Sequence, residues 1–178
     1  IENPAIDDQY DFDAPMSLRS STWAVLEANP PALIGGTPAG PSTNPLIGKA
    51  WTVTPAGLAI YSAGGAVASG RAMALYTNLI NAGYSLELLI NDAVVGTTAT
   101  RTAATVNGVV VTIPSVTVTP SATAAAGAKI GVRVKQGAKM LFASDTAQAD
   151  SPIQISGSVQ SGQPATLGPL SFNLAGAV

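Results

Sequence analysis

Four carboxylates near the start of the chain, Asp7, Asp8, Asp11 and Asp13, resemble half of a calcium loop, because hard divalent cations take several carboxylate oxygens at once. The spacing lacks the glycine at the bend and the closing glutamate, so the cluster reads as a solvated acidic segment and not as a metal site. Glu87 with Asp92, or Asp145 with Asp150, could supply the paired carboxylates of a glycoside hydrolase, which stand about 5–9 Å apart. Acidic residues flanking turns are commonplace, and neither pair is expected to be catalytic. The chain has no Cys and no His. It cannot build a Cys/His zinc site, a Ser-His-Asp triad or a Cys-His pair, and it lacks the side chain best suited to proton transfer near neutral pH. The expectation is a non-enzymatic protein without metal or cofactor.

Lys129, Arg133, Lys135 and Lys139 are half of the eight basic residues, gathered within eleven positions. A basic stripe can follow phosphates. Here the stripe is short, the net charge is −2 and no aromatic platform interleaves it, so nucleic acid is not the expected partner. The remaining readings are a solvated sheet face or a surface that meets an acidic partner, for which the segment Glu2 to Asp13 of a neighbouring copy is the candidate. Trp51, Tyr61, Tyr76 and Tyr84 could form sugar platforms, but with nine aromatic residues in all they are expected to serve the core. Tyr10, Phe12, Trp23 and Leu26 are costly to leave in water, which makes them interaction candidates for a neighbouring subunit.

The elements that would carry these residues are short and β-like. Asn107-Gly108 separates Thr100–Val106 from Val109–Ile113, and Asn-Gly between β-branched runs is a strong hairpin signal. Asn91-Asp92 is a second plausible two-residue turn, between Tyr84–Ile90 and Ala93–Val95. Leu86, Leu88 and Ile90 share one strand face and leave Glu87 on the other. Past Pro114, Val116 and Val118 alternate with Thr117 and Thr119. In the basic run Ile130, Val132 and Val134 lie on one face, with Lys129, Arg133 and Lys135 on the other, before Gln136-Gly137 turns the chain into Met140–Ala143. Ile153 and Ile155, then Leu170, Phe172 and Leu174 at period two, add further strands. Trp51–Thr54 and Gly57–Tyr61 also read as short strands. Arg71–Ile80 fits both helical spacing and alternation, with its neighbours favouring strand. About nine short strands separated by turn signals argue for an antiparallel sandwich or barrel, and the expectation taken is an all-β antiparallel sandwich.

Residues 1–48 differ from residues 49–178. Six of the ten acidic residues fall between Glu2 and Glu27, and prolines recur from Pro4 to Pro45. Proline removes a donor and restrains its predecessor to extended backbone, so an extended N-terminal arm is expected ahead of one sandwich domain. Ser17–Ala28 could form one short helix or strand, and Asn29–Gly48 reads as a linker or wrapping loop. The sequence begins at Ile1, so a leader, propeptide or disordered segment preceding it is conceivable. Charged residues make up 10% of the chain, against about 25% in an ordinary domain. A surface so poor in charge is either neutral and hydroxyl-rich or covered by neighbouring subunits. No apolar run reaches the roughly 20 residues that span a bilayer, so neither membrane nor nucleic acid is an expected partner.

Ala126-Gly-Ala-Lys-Ile-Gly-Val-Arg-Val134 resembles the small-residue turn and alternating strand of jelly-roll modules in phage decoration proteins, fibre heads and related trimeric domains. It departs from the commoner form in carrying Ala128, where a polar Asp or Thr follows the glycine. The resemblance implies a jelly-roll subunit of a virion surface. Such a subunit would trimerise, bind a major capsid protein and clamp the lattice through its arm. Other structural classes are a receptor- or glycan-binding head of a fibre or adhesin, and a secreted or cell-surface filament subunit that donates the Leu170–Leu174 strand.

Overall fold

A computed structural model of the chain describes residues 50–148, 150–156 and 158–175. The expectations for residues 1–48, including Tyr10, Phe12, Trp23 and Leu26 and the acidic cluster Asp7–Asp13, lie outside the described residues.

The chain enters β1 (Thr52–Val53) and turns at once into a helix, α1 (Pro55–Ser62), where the sequence suggested a strand. The reason is local. Thr54 stays extended and its hydroxyl accepts the amide of Gly57 at 3.1 Å, while Pro55 occupies the first helical turn. A threonine cap followed by proline starts a helix with two of its orphan donors already accounted for. A second helix, α2 (Ala68–Ala82), replaces the strand favoured over Arg71–Ile80. Its buried residues, Arg71, Ala72, Leu75 and Leu79, recur at helical spacing, and it ends at Gly83 with φ +75°. Tertiary packing of that apolar stripe outweighs the equally good alternation in the sequence.

From Ser85 onward the described chain is β-structure: β2 (Ser85–Ile90), β3 (Ala93–Thr97), β4 (Thr105–Asn107), β5 (Val110–Ile113), β6 (Val116–Val118), β7 (Ile130–Gln136), β8 (Lys139–Asp145), β9 (Ile155–Ser156), β10 (Ala165–Leu167) and β11 (Leu170–Asn173). They form a five-stranded sheet in the order β1-β8-β7-β2-β3 and two three-stranded sheets, β11-β5-β4 and β9-β10-β6. Every pairing is antiparallel. The described fold is therefore mostly β with antiparallel sheets, and carries two helices, of which α1 was expected as a strand and α2 covers the stretch that fitted both helix and strand.

The turns follow residue chemistry closely. Ile90 pairs with Ala93, which leaves Asn91 and Asp92 as a two-residue loop with φ of +49° and +71°. Positive φ at both positions is what a type I′ turn requires, and Asn and Asp tolerate it. The hairpin expected at Asn107-Gly108 also forms, but one residue later. Asn107 pairs with Val110, so the loop is Gly108-Val109, and of these Gly108 alone has positive φ, +63°. Glycine first and a β-branched residue second suit a type II′ turn, because Val109 could not take the second positive φ of type I′ at low cost.

One contiguous core joins these pieces. Leu86 and Leu88 of β2, Val132 and Val134 of β7, Val111 and Ile113 of β5, and Leu170 and Phe172 of β11 all point into it. An aromatic group marks its centre. Trp51 stacks on Phe172 with ring centroids 4.4 Å apart, and Phe142 of β8 lies 4.8 Å from Phe172. That contact brings the five-stranded sheet against the β11-β5-β4 sheet. Trp51 also donates its indole N–H to the Ser171 carbonyl at 2.9 Å, giving the buried ring a polar partner. Helix α1 lies on β8 and α2, and α2 lies against β5 and β4.

Candidate functional site

The outward face of the five-stranded sheet collects the charged side chains. Alternation on β2 turns Glu87 away from the core, and the sheet register sets it directly opposite Arg133 of β7. Glu87 meets the Lys135 ammonium at 2.9 Å and the Arg133 guanidinium at 3.6 Å, with its own side chain only 12% exposed. At the other end of the same strands Lys129 reaches Asp92 at 3.1 Å and Asp145 at 3.9 Å. Three cations thus face three carboxylates, and this face neutralises itself. The paired carboxylates weighed for acid–base work, Glu87, Asp92 and Asp145, are each held by a lysine or arginine, while Asp150 is exposed.

The structure brings Lys129, Arg133 and Lys135 onto one face and separates Lys139 from them. A register shift between Val134 and Lys135 pairs Lys135 with Met140 and Gln136 with Lys139. Lys139 therefore sits across from Gln136, whose amide turns to the helix side and donates to Asn78 and to the Gly83 carbonyl. The four basic residues do not form a single stripe. The surface suggested for an acidic partner is largely engaged by carboxylates of its own chain.

Among the described residues no three His, Cys, Asp or Glu side chains converge on a point. Trp51, Tyr61 and Tyr84 belong to the core and Tyr76 is half-buried, in keeping with the structural role expected of them. The Tyr84 hydroxyl donates to the Ala103 carbonyl, and the backbones of Tyr84 and Arg101 exchange hydrogen bonds of 2.9 and 2.7 Å. Burial pushes the Tyr84 phenol above its ordinary pKa of 10.0, against the opposing pull of the hydrogen bond and charge of Arg101. This group fastens the loop between β3 and β4.

The other distinctive surface is the helix pair. Helices α1 and α2, of 8 and 15 residues, contain one charged residue, Arg71, and it is 3% exposed. Its guanidinium donates to the carbonyls of Gly65 at 3.1 Å, Ala66 at 2.7 Å and Leu174 at 3.3 Å. The solvent side of the pair consequently bears no charge at all. It holds an open groove of about 640 Å³ between Ile60 and Ala63 of the first helical unit and Gly70, Met73, Ala74 and Thr77 of the second, with Met73 50% exposed. A smaller apolar cleft, about 290 Å³, lies among Ala124, Ala128, Ile130, Ile153, Ile155 and Val159. Neither surface was found from the sequence. The groove exists only once α1 and α2 are recognised as helices, and the signal that could have revealed it was Thr54-Pro55 followed by a long run without charge.

No known protein family, no curated protein and no solved structure matches this chain. Among the described residues no helix is long and apolar enough to cross a membrane.

Proposed function

We propose that this chain is a non-enzymatic structural subunit that works by packing into a repeating protein assembly, in its most specific form a decoration or cement protein on a virion surface. The observation that carries the reading is the helix pair. A surface helix ordinarily presents charged and polar residues to water, whereas α1 and α2 present none that are charged and expose Met73 beside an apolar groove. A face of this kind is suited to being covered by protein. The sheet face supports the same reading, since its three cations already pair with carboxylates of the same chain.

In this reading copies of the chain associate, as a trimer in the jelly-roll form implied by the Ala126–Val134 resemblance, and the N-terminal segment reaches a neighbouring subunit or a major capsid protein. Apolar and backbone surface buried across joints between capsomers would then stabilise the shell, with well over 1,000 Å² expected for a permanent interface. A glycan-binding head has less support, because Trp51, Tyr61 and Tyr84 are committed to the core. The test is imaging of the native assembly with the chain carrying a small tag. Density repeating at lattice positions on a shell supports the reading. Binding to isolated sugar or cells with no assembly in which the chain repeats refutes it.

A further inference from the structure

We infer that the groove between α1 and α2 is the docking surface for the uncharged stretch of the N-terminal segment, Leu33 to Ile47, of a neighbouring copy. This rests on the assembly reading above and names the surface and the occupant. The groove and the segment match in charge. From Ala28 to Gly48 the sequence has no charged residue, and the groove's walls, Ile60, Ala63, Gly70, Met73, Ala74 and Thr77, have none either. Bringing charge to this face would cost desolvation without return. The acidic residues Glu2 to Glu27 therefore do not suit it, and the stretch after them does.

The segment also has the anchors and the stiffness for such a site. Leu33, Ile34, Leu46 and Ile47 are the branched apolar side chains of the stretch, spaced by Pro38, Pro41 and Pro45. Fixed φ at each proline lowers the entropy lost on ordering, the advantage that proline-rich ligands have in apolar grooves. Length is sufficient. The 17 residues from Leu33 to Lys49 reach up to about 56 Å when extended, at about 3.3 Å each, so the stretch can leave its own subunit close to Ile47 and run onto the groove of an adjoining copy. Asn81, which also lines the groove, is exposed and offers an amide to the carbonyls of an extended backbone.

The absence of cysteine makes a direct test clean. Full-length chains carrying Thr77→Cys are mixed with full-length chains carrying Cys at one of Leu33, Ile34, Leu46 or Ile47, under mild oxidation. Val94→Cys serves as the comparison, since Val94 is 44% exposed on β3, away from the helices. A docked segment experiences an effective concentration on the order of mM, so at about 10 µM protein its cross-linking should run about 100-fold faster than chance encounter. Disulfide geometry limits this to a partner position whose Cα lies within about 7 Å.

Fast formation of two-chain species with Thr77→Cys and not with Val94→Cys supports the proposal. Equal rates at the two positions, or no cross-link at any of the four segment positions, overturn it. Met73→Cys repeats the experiment from a second groove position, so that a local folding defect at Thr77 does not decide the outcome. Normal assembly without groove cross-links refutes this docking and leaves the shell-subunit reading standing. A chain that neither assembles nor cross-links removes both.

Discussion

Replacing Arg71 by methionine should cost this fold more than any exposed substitution, and the size follows from the partners of the guanidinium. Three carbonyls depend on it, those of Gly65, Ala66 and Leu174, at 3.1, 2.7 and 3.3 Å. A hydrogen bond from a charged donor contributes about 1.5–3 kcal/mol, and the penalty of about 1–3 kcal/mol for a buried acceptor left without a partner falls on the Leu174 carbonyl alone, since Gly65 and Ala66 are exposed and water can reach them. Two offsets reduce the sum. The 3.3 Å bond to Leu174 is the weakest of the three, and the Nε of Arg71 is buried without a partner in the wild type, so methionine removes one unmet donor along with the charge. A net loss of about 3 kcal/mol remains. For a chain of this size that lowers the melting temperature by about 6–12 °C. Thermal and urea unfolding followed by circular dichroism read the change directly. Arg71→Lys should lose most of the same stability, because an ammonium cannot span carbonyls from two separate segments as the planar fork does. A melting temperature unchanged or raised in Arg71→Met would refute the reasoning, and would mean that these carbonyls find other donors without cost.

Three further outcomes follow from the same geometry. Gly57→Ala should destabilise by about 1–3 kcal/mol, since α1 approaches β8 so closely at the Leu141 carbonyl that a Cβ at this position has no space; an unaltered urea midpoint would contradict the close approach. Glu87→Gln should lower stability by about 1 kcal/mol after allowance for the partial exposure of Arg133 and Lys135, and should leave the sheet face net positive, so that the variant is retained longer than wild type on a polyanionic resin. Tyr84 gives a pH signature. Its folded pKa lies above the ordinary 10.0, so the neutral phenol's contribution is full below about pH 10 and declines as pH rises towards the folded value. Wild-type stability should therefore fall at alkaline pH with a steeper slope than that of Tyr84→Phe; parallel slopes would show that the phenol is not buried.

Much of the β-structure was legible because its signals are local. Asn91-Asp92 and Gly108 carry the backbone conformations of their turns in their own chemistry, and period two placed Leu86, Leu88, Val132, Val134, Leu170 and Phe172 in the core correctly. The helices were not, and for a physical reason. Gly57–Tyr61 is too short to show a period, and Arg71–Leu79 places apolar residues where both periods are satisfied, so only packing on β8, β5 and β4 decides. Arg71 is a core donor, 3% exposed, although arginine is mostly an exposed residue. The charged residues were identified as a group but their partners were not. Opposition of Glu87 to Arg133 depends on a register between strands over forty residues apart in sequence, and separation of Lys139 from the stripe depends on one register shift in β8. Neither is encoded in spacing. The uncharged face of α1 and α2 was hidden for the same reason as the helices that make it.

We propose that this uncharged helix face is covered by protein when copies of the chain assemble. Sedimentation equilibrium of the full chain, compared with full-length Met73→Asp and Thr77→Arg, tests it most directly, because both positions are exposed and surface substitutions of this kind leave folding within about 0.5 kcal/mol. The wild type should form a discrete oligomer, and each charged variant, with an unchanged melting profile of the separated subunit, should shift towards the monomer by at least about tenfold in dissociation constant, the effect of about 1.4 kcal/mol lost at one interface position. Wild type and variants sedimenting alike, as monomers or as the same oligomer, would contradict it.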